Sequence, residues 1–168
     1  MGTTIMDVQD EARLRATINE FLARHDTLAI ATEDNGQPYV TRVFYAEEPL
    51  SEERNTLTLY CTFILTSRKL ANLQRNPRAG IFIGPEEPTT WLEATAEAHF
   101  ITDEQASAAV RERLIRKSQA AASFIARLPV QALTLEVRWL RITDLTELPR
   151  QTEATFPLQP RPVGPTTY

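Results

Sequence analysis

The sequence predicts a mainly β, single-domain protein, organised as a small antiparallel barrel with flanking helices. Six segments rich in β-branched and aromatic residues alternate with turns, and three other segments have helical periodicity. The Asn35-Gly36 turn is too short for the crossover that parallel strands require, so the strands beside it run antiparallel. With 168 residues, 42% of them apolar, the chain can bury one good core.

Each element follows from a local pattern. Residues 9–24 place apolar side chains at helical spacing, which predicts an amphipathic helix. Asn35 and Gly36 accept positive φ at low cost, which predicts a hairpin turn. Residues 102–105 have the form of a capping box, which predicts a helix through about residue 117, with room to continue to residue 127. The predicted strands are residues 27–32, 39–45, 56–62, 78–83, 90–101 and 131–143, and residues 46–55 are predicted to be a loop.

The C-terminal part of the chain differs in composition from the rest. Residues 149–168 contain five prolines, which cannot occupy the interior of a helix or sheet. We therefore expect residues 1–148 to form the folded domain. Residues 149–168 are expected to form an extended, polyproline-like or irregular tail, either disordered or laid over a neighbouring surface.

Composition and charge exclude several classes of protein. The net charge of −4 argues against a nucleic-acid partner, which would require a basic face. One cysteine allows no internal disulfide and favours a reducing, cytoplasmic location. No apolar run reaches the roughly 20 residues that span a bilayer, so no membrane partner is expected. Two isolated histidines and one cysteine offer no metal-ligand spacing, so no metal site is predicted.

The most informative functional pattern is the segment that follows the third predicted strand. Ser67, Arg68 and Lys69 open a short helix that ends before Pro77. Thr66 or Ser67 can cap this helix and leave backbone N–H groups free at its start. Cations at that end oppose the helix dipole, but they suit a site that binds an anion such as phosphate. A solvated basic turn is the alternative interpretation.

Three segments resemble the pyridoxamine 5′-phosphate oxidase-like flavoproteins. They are residues 35–43, 59–78 and 91–97, of which the middle one is the most distinctive, and the resemblance extends over about residues 10–145. It implies an antiparallel split β-barrel. It also implies FMN held at the interface of a homodimer.

The resemblance also implies roles for eight cofactor-binding residues. Two of them, Arg68 and Lys69, agree with the anion site that the local pattern predicts. From the residues alone, Cys61 is expected to be a small buried strand residue, and Arg42 could be an ordinary outward-facing charge. The candidates are Arg68 and Lys69, with Thr41 and Arg42, for the flavin phosphate; Ser67 for the phosphate or ribityl chain; and Tyr60, Cys61 and Thr62 for the isoalloxazine ring.

The chain also departs from the oxidases proper. Those enzymes carry an Arg-x-His near the C-terminus that binds the substrate phosphate, whereas this chain has no histidine after His99. We therefore expect an FMN-dependent oxidoreductase that acts on an unknown small molecule. No residue stands out as a general acid or base, so no catalytic residue is assigned.

Two other cofactors remain open at this point. The deazaflavin F420 could occupy the same fold, and Arg75 and Arg78 are the nearby cations for its longer anionic tail. A non-catalytic flavin-binding or haem-binding protein is the other alternative. Haem would require an axial ligand such as His25, His99 or Cys61.

Overall fold

The computed structural model describes residues 8–84, 89–146 and 150–159. Within these ranges the chain forms four helices and one sheet of eight strands. None of these helices has both the length and the apolar character needed to cross a membrane. The helices are α1 (Val8–Ala23), α2 (Arg68–Arg75), α3 (Glu104–Lys117) and α4 (Gln119–Ile125). The strands are β1 (Thr27–Asp34), β2 (Gln37–Phe44), β3 (Ala46–Glu47), β4 (Leu57–Ile64), β5 (Arg78–Ile83), β6 (Thr90–Phe100), β7 (Val130–Asp144) and β8 (Arg150–Thr155).

The sheet is antiparallel and curls into an open half-barrel. Its strand order is β2-β1-β5-β6-β7-β4-β3, and β8 pairs with β7 beyond the end of β4. At one end, β2 pairs only with β1 among the described residues. At the other end, β3 covers β4 only at Leu59 and Tyr60. The barrel is therefore split between β2 and β4, which confirms the predicted fold class.

The main core lies inside the curled sheet and is covered by α1. Strand side chains alternate between two faces, and in β4 the inward set is Leu57, Leu59, Cys61 and Phe63. From α1, the apolar stripe predicted by helical spacing adds Ile18, which has no exposed surface. A second, smaller cluster lies on the other face of the sheet, beneath α3 and α4. The two clusters hold β4 from both sides.

The helix predicted after residue 102 is interrupted in the structure. Asp103 is its N-cap and accepts a hydrogen bond from the Ala106 N–H at 2.7 Å. Ser118 then ends α3 and caps α4, because its hydroxyl oxygen accepts from the Ala121 N–H. Serine favours such a break in a helix because its side chain satisfies the free N–H groups of a new helix.

The predicted loop at residues 46–55 also contains the short strand β3.

Part of the proline-rich tail belongs to the sheet. Residues 150–155, which the sequence places in that tail, are free of proline and pair with β7 as β8. Beyond β8, Phe156 and Leu158 are each 5% exposed and join the main core. The sheet and core thus extend past residue 148, the predicted end of the domain. Residues 160–168 of the predicted tail lie outside the described residues.

We expect the substitution Phe156→Ala to destabilise the fold. Removing a buried phenylalanine side chain costs about 3 kcal/mol or more in the free energy of unfolding, because contacts are lost and a cavity remains. Chemical denaturation measures this change. Thr155→Ala, at the exposed neighbouring position, is the control and should change the free energy by less than about 0.5 kcal/mol. Equal stabilities of the two variants would contradict the packing of Phe156 in the core.

Candidate functional site

The gap between β2 and β4 forms a cavity beside the start of α2. Its volume is about 240 Å³. It is lined by three of the eight predicted cofactor residues, Arg42, Thr62 and Lys69. Three phenylalanines add an apolar wall: Phe44, Phe63 and Phe124. We call this cavity the β2–β4 cleft.

The first turn of α2 presents hydrogen-bond donors that have no acceptor within residues 8–84, 89–146 and 150–159. Ser67 is the N-cap residue, but its side chain does not cap the helix. Its Oγ atom is buried and has no hydrogen-bond partner in the part of the chain that the structure describes. The first helical bond runs from the Ala71 N–H to the Ser67 carbonyl at 3.3 Å, which leaves the N–H groups of residues 68–70 without a described acceptor. Such an arrangement is suited to an anion.

Three cations lie around this helix start without a counterion among the described residues. The Lys69 ammonium lies 5.2 Å from the centroid of the Phe63 ring, and partial burial lowers the pKa of its amine. The Arg68 guanidinium lies 5.2 Å from the centroid of the Tyr39 ring, on β2. Neither of these side chains, nor the exposed Arg42, forms an ion pair with a described carboxylate. The local charge is therefore strongly positive in a protein of net negative charge.

The strand edges that border the gap provide backbone hydrogen-bonding groups. From Cys61 to Ile64, β4 pairs only with β7 among the described residues. In an antiparallel strand, alternate residues direct their N–H and C=O groups to opposite edges. Half of these β4 groups therefore face the gap. A flat heterocycle with polar edges could bind them.

Two predicted side chains lie away from the cleft. Cys61 is completely buried in the main core, as the residues alone predict, and burial raises the pKa of its thiol. The Tyr60 hydroxyl donates to Glu48 at 2.7 Å, and the Arg113 guanidinium lies 4.8 Å from its ring centroid. At these positions only the backbone could contact a ligand in the cleft. Thr41 is half-buried on β2, next to Arg42.

Sequence reasoning did not identify the aromatic wall of the cleft. Phe44 and Phe124 have ring centroids 6.1 Å apart, although they belong to β2 and α4. No local motif connects residues so far apart in the chain. The available signal was a single large aromatic side chain in the alanine-rich sequence of α4.

The side chains proposed for haem lie outside the cleft. His25 contacts the Phe21 carbonyl oxygen through Nδ1 at 2.8 Å, at the C-terminal end of α1. His99 is half exposed and lies 3.3 Å from a carboxylate oxygen of Glu136. Neither residue lines the cleft. In the described ranges, histidine, cysteine and acidic residues form no group of three that could hold a metal ion.

The cations proposed for an F420 tail are likewise elsewhere. Arg75 forms an ion pair with Asp34 at 2.9 Å and also donates to Asn72. The Arg78 Nε donates to the Asn76 side-chain oxygen at 3.1 Å. Both arginines lie at the far end of α2 or beyond it. The cleft therefore has the cations for one phosphate group but lacks these two.

Two larger cavities contain none of the eight predicted cofactor-binding residues, although Arg78 lines the second of them. One of about 650 Å³ lies between α1 and the ends of β7 and β8, where it mixes arginine and acidic side chains. The other, of about 530 Å³, is a groove on the outer face of the sheet. This groove contains Ala31, Gly80 and Thr95, which are direct neighbours across β1, β5 and β6. On the same face, Val40 is 63% exposed and Phe82 is 48% exposed.

The fold is shared with several solved structures. A protein related to general stress protein 26 (pyridoxinephosphate oxidase family) from Clostridium acetobutylicum has a TM-score of 0.64 at 12% identity, with 86% of this chain and 95% of that chain covered. An FAD-binding protein from Mesorhizobium loti has a TM-score of 0.57 at 15% identity, with 76% of this chain and 90% of that chain covered. A haem-binding protein from Mycobacterium smegmatis has a TM-score of 0.63 at 19% identity, with 84% of this chain and 57% of that chain covered. At these identities the similarity shows a common fold.

A family model gives the more specific result. No curated protein sequence matches the chain. The family model described as pyridoxamine 5′-phosphate oxidase matches residues 14–144, which run from α1 to the end of β7. The match includes both sides of the β2–β4 cleft and the whole of α2. The chain belongs to the pyridoxamine 5′-phosphate oxidase family.

Proposed function

We propose that this protein is an FMN-binding flavoprotein and an oxidoreductase. The observation that supports this most directly is the buried Ser67 Oγ at the start of α2, which has no hydrogen-bond partner among the residues that the structure describes. It lies in the same helical turn as Arg68, Lys69 and three N–H groups without a described acceptor. A buried hydroxyl without a partner is unfavourable, and an anion bound at the helix start would satisfy it.

The charges at this position suit a phosphomonoester. A phosphate group carries about −1.5 to −2 charges near neutral pH and has three strong acceptor oxygens. The helix dipole and free N–H groups would bind these oxygens, and Arg68 and Lys69 would balance the charge. Arg42 would approach from β2, on the other side of the gap. Arginine is well suited to this role because its planar guanidinium can make two parallel hydrogen bonds to phosphate.

The rest of the cleft suits a flat aromatic ring. The open edge of β4 would hydrogen-bond the polar edge of the ring, and Thr62, which lines the cleft, would contact the ring through its side chain. The phenylalanines of the cleft wall would pack against the apolar part of the ring. When bound, the flavin would supply the electron and hydride transfer, while the chain supplies position and electrostatics.

The size of the cleft supports a homodimer with the cofactor at the interface. About 240 Å³ is less than the roughly 300 Å³ at which ligand-binding pockets usually begin, so one chain encloses a flavin incompletely. The exposed Phe82 lies in the same cross-strand row as Arg42, with Ala29 between them. An apolar surface next to the cleft would be covered by a second copy of the chain. That copy would close the site.

The proposed function is tested by the visible absorbance of the purified protein, with and without added FMN. A flavin spectrum that remains with the protein through gel filtration at the size of a dimer supports the proposal. Absence of FMN uptake would refute it. In that case, uptake of F420 or a Soret band on addition of haem would identify the alternative ligand.

We expect the double substitution Arg68→Ala/Lys69→Ala to weaken FMN binding by about 100-fold or more, because two charge-assisted contacts to phosphate are lost. Fluorescence titration measures the dissociation constants for FMN and for riboflavin, which lacks the phosphate. Riboflavin affinity should change little. The matched control is Arg116→Ala/Arg127→Ala, which removes two exposed cations elsewhere. Equal FMN affinity in both double variants would contradict a phosphate site at α2.

FMN affinity should fall as the pH rises above neutrality. Partial burial lowers the pKa of Lys69 below the ordinary lysine value, so its ammonium deprotonates earlier than an exposed lysine would. Loss of this charge weakens phosphate binding, and a bound phosphate in turn raises the pKa of Lys69. Dissociation constants measured from neutral pH to about pH 10 test this effect. The same measurements with riboflavin correct for ionisation of the isoalloxazine ring, which both ligands share. Lys69→Arg keeps its charge at high pH and should flatten the pH dependence of FMN affinity. The same pH dependence in Lys69→Arg as in the unsubstituted protein would contradict the role of Lys69.

A further inference from the structure

The C-terminal half of α2 is attached to the end of β1 by three side-chain contacts. Three consecutive residues of β1 accept from three residues at or near the end of α2. We call this set the polar clamp. Its contacts are Asn72 Nδ2 to Thr32 Oγ1 at 3.0 Å, Asn76 Nδ2 to Glu33 Oε1 at 2.9 Å, and Arg75 Nη2 to Asp34 Oδ1 at 2.9 Å.

One contact of the clamp is buried and the other two are nearer to solvent. Asn72 has no exposed surface and Thr32 is 4% exposed. The Asn72 side-chain oxygen also accepts from Arg75 Nη2 at 2.9 Å, so both ends of its amide are used. A hydrogen bond is directional, and in such surroundings it is also costly to break, because breaking it leaves a buried donor without a partner. Apolar contacts of Leu70 and Leu73 with the core are less directional and would allow small rotations of α2.

The clamp connects the elements that carry the cations of the site: α2, with Arg68 and Lys69, and the β1–β2 hairpin, with Arg42. At the other end of α2 are Arg68 and Lys69. Arg42 lies on β2, which is held to β1 by hydrogen bonds along the whole hairpin. No sheet pairing joins β2 directly to β4 within the described ranges. The attachment of α2 to β1 therefore helps to set how far Arg42 lies from the first turn of α2, together with the direct contact of Arg68 with Tyr39 on β2.

We propose that Asn72 is a positioning residue for the phosphate group, acting through Thr32 and without contact to the ligand. This inference rests on the proposed FMN site and assigns it a residue that contributes only through geometry. Phosphate binding by several donors depends on their mutual placement, since a small displacement misaligns some of them. A ligand without phosphate would be much less sensitive to such a displacement.

The test compares two substitutions of the acceptor residue. Thr32→Val keeps the shape of the side chain and removes the hydroxyl, whereas Thr32→Ser keeps the hydroxyl. We expect Thr32→Val to raise the dissociation constant of FMN about tenfold and to leave that of riboflavin within about twofold. Thr32→Ser should restore the preference for FMN over riboflavin. Asn72→Ala should behave as Thr32→Val does.

A second control separates positioning from loss of stability. Thr143→Val removes the hydroxyl of another buried threonine, located on β7 outside the clamp. Thermal unfolding of all variants identifies any that fail to fold, and the FMN-to-riboflavin affinity ratio is compared among those that do. An unchanged ratio in Thr32→Val, or the same change in Thr143→Val, would overturn the inference. If the unsubstituted protein bound no FMN, the proposed function itself would fail, which is a separate and recognisable result.

Discussion

The sheet does not close between β2 and β4, and this gap shapes both the sheet and the candidate site. A closed barrel pairs every strand edge, whereas the edges of β2 and β4 that border this gap have no strand partner among the described residues. Backbone N–H and C=O groups on such edges need water or a ligand to satisfy them. The gap therefore weakens the sheet and at the same time creates a lined cleft. Fold and candidate site have a common physical cause.

The helix α2 takes over the function that a strand pairing would have in a closed barrel. Its first turn contacts both sides of the gap, since Arg68 packs over Tyr39 of β2 and Lys69 over Phe63 of β4. Two cations at a helix N-terminus oppose its dipole. Here each cation lies over an aromatic ring, and neither forms an ion pair with a described carboxylate. The result is a local excess of positive charge within a protein of net charge −4.

Elements with a strong local signal were predictable, and elements created by neighbouring strands were not. Asn35 and Gly36 adopt φ of 51° and 83°, as expected for that turn. In contrast, β3 has two residues and β8 lies within a proline-rich stretch. Both strands exist because β4 and β7 offer edges for pairing. Periodicity within one segment carries no information about such edges.

The part of the candidate site that is proposed to bind phosphate follows from the local sequence. Ser67, Arg68 and Lys69 are adjacent in the chain at a helix start, so their proximity is a local property. Tertiary packing sets which other residues join them. It turned Tyr60 away from the cleft, brought in Phe124 from α4, and placed Asn72 against a threonine 40 residues earlier. These contacts arise from strand register and helix packing, which act between distant segments and therefore leave no local pattern.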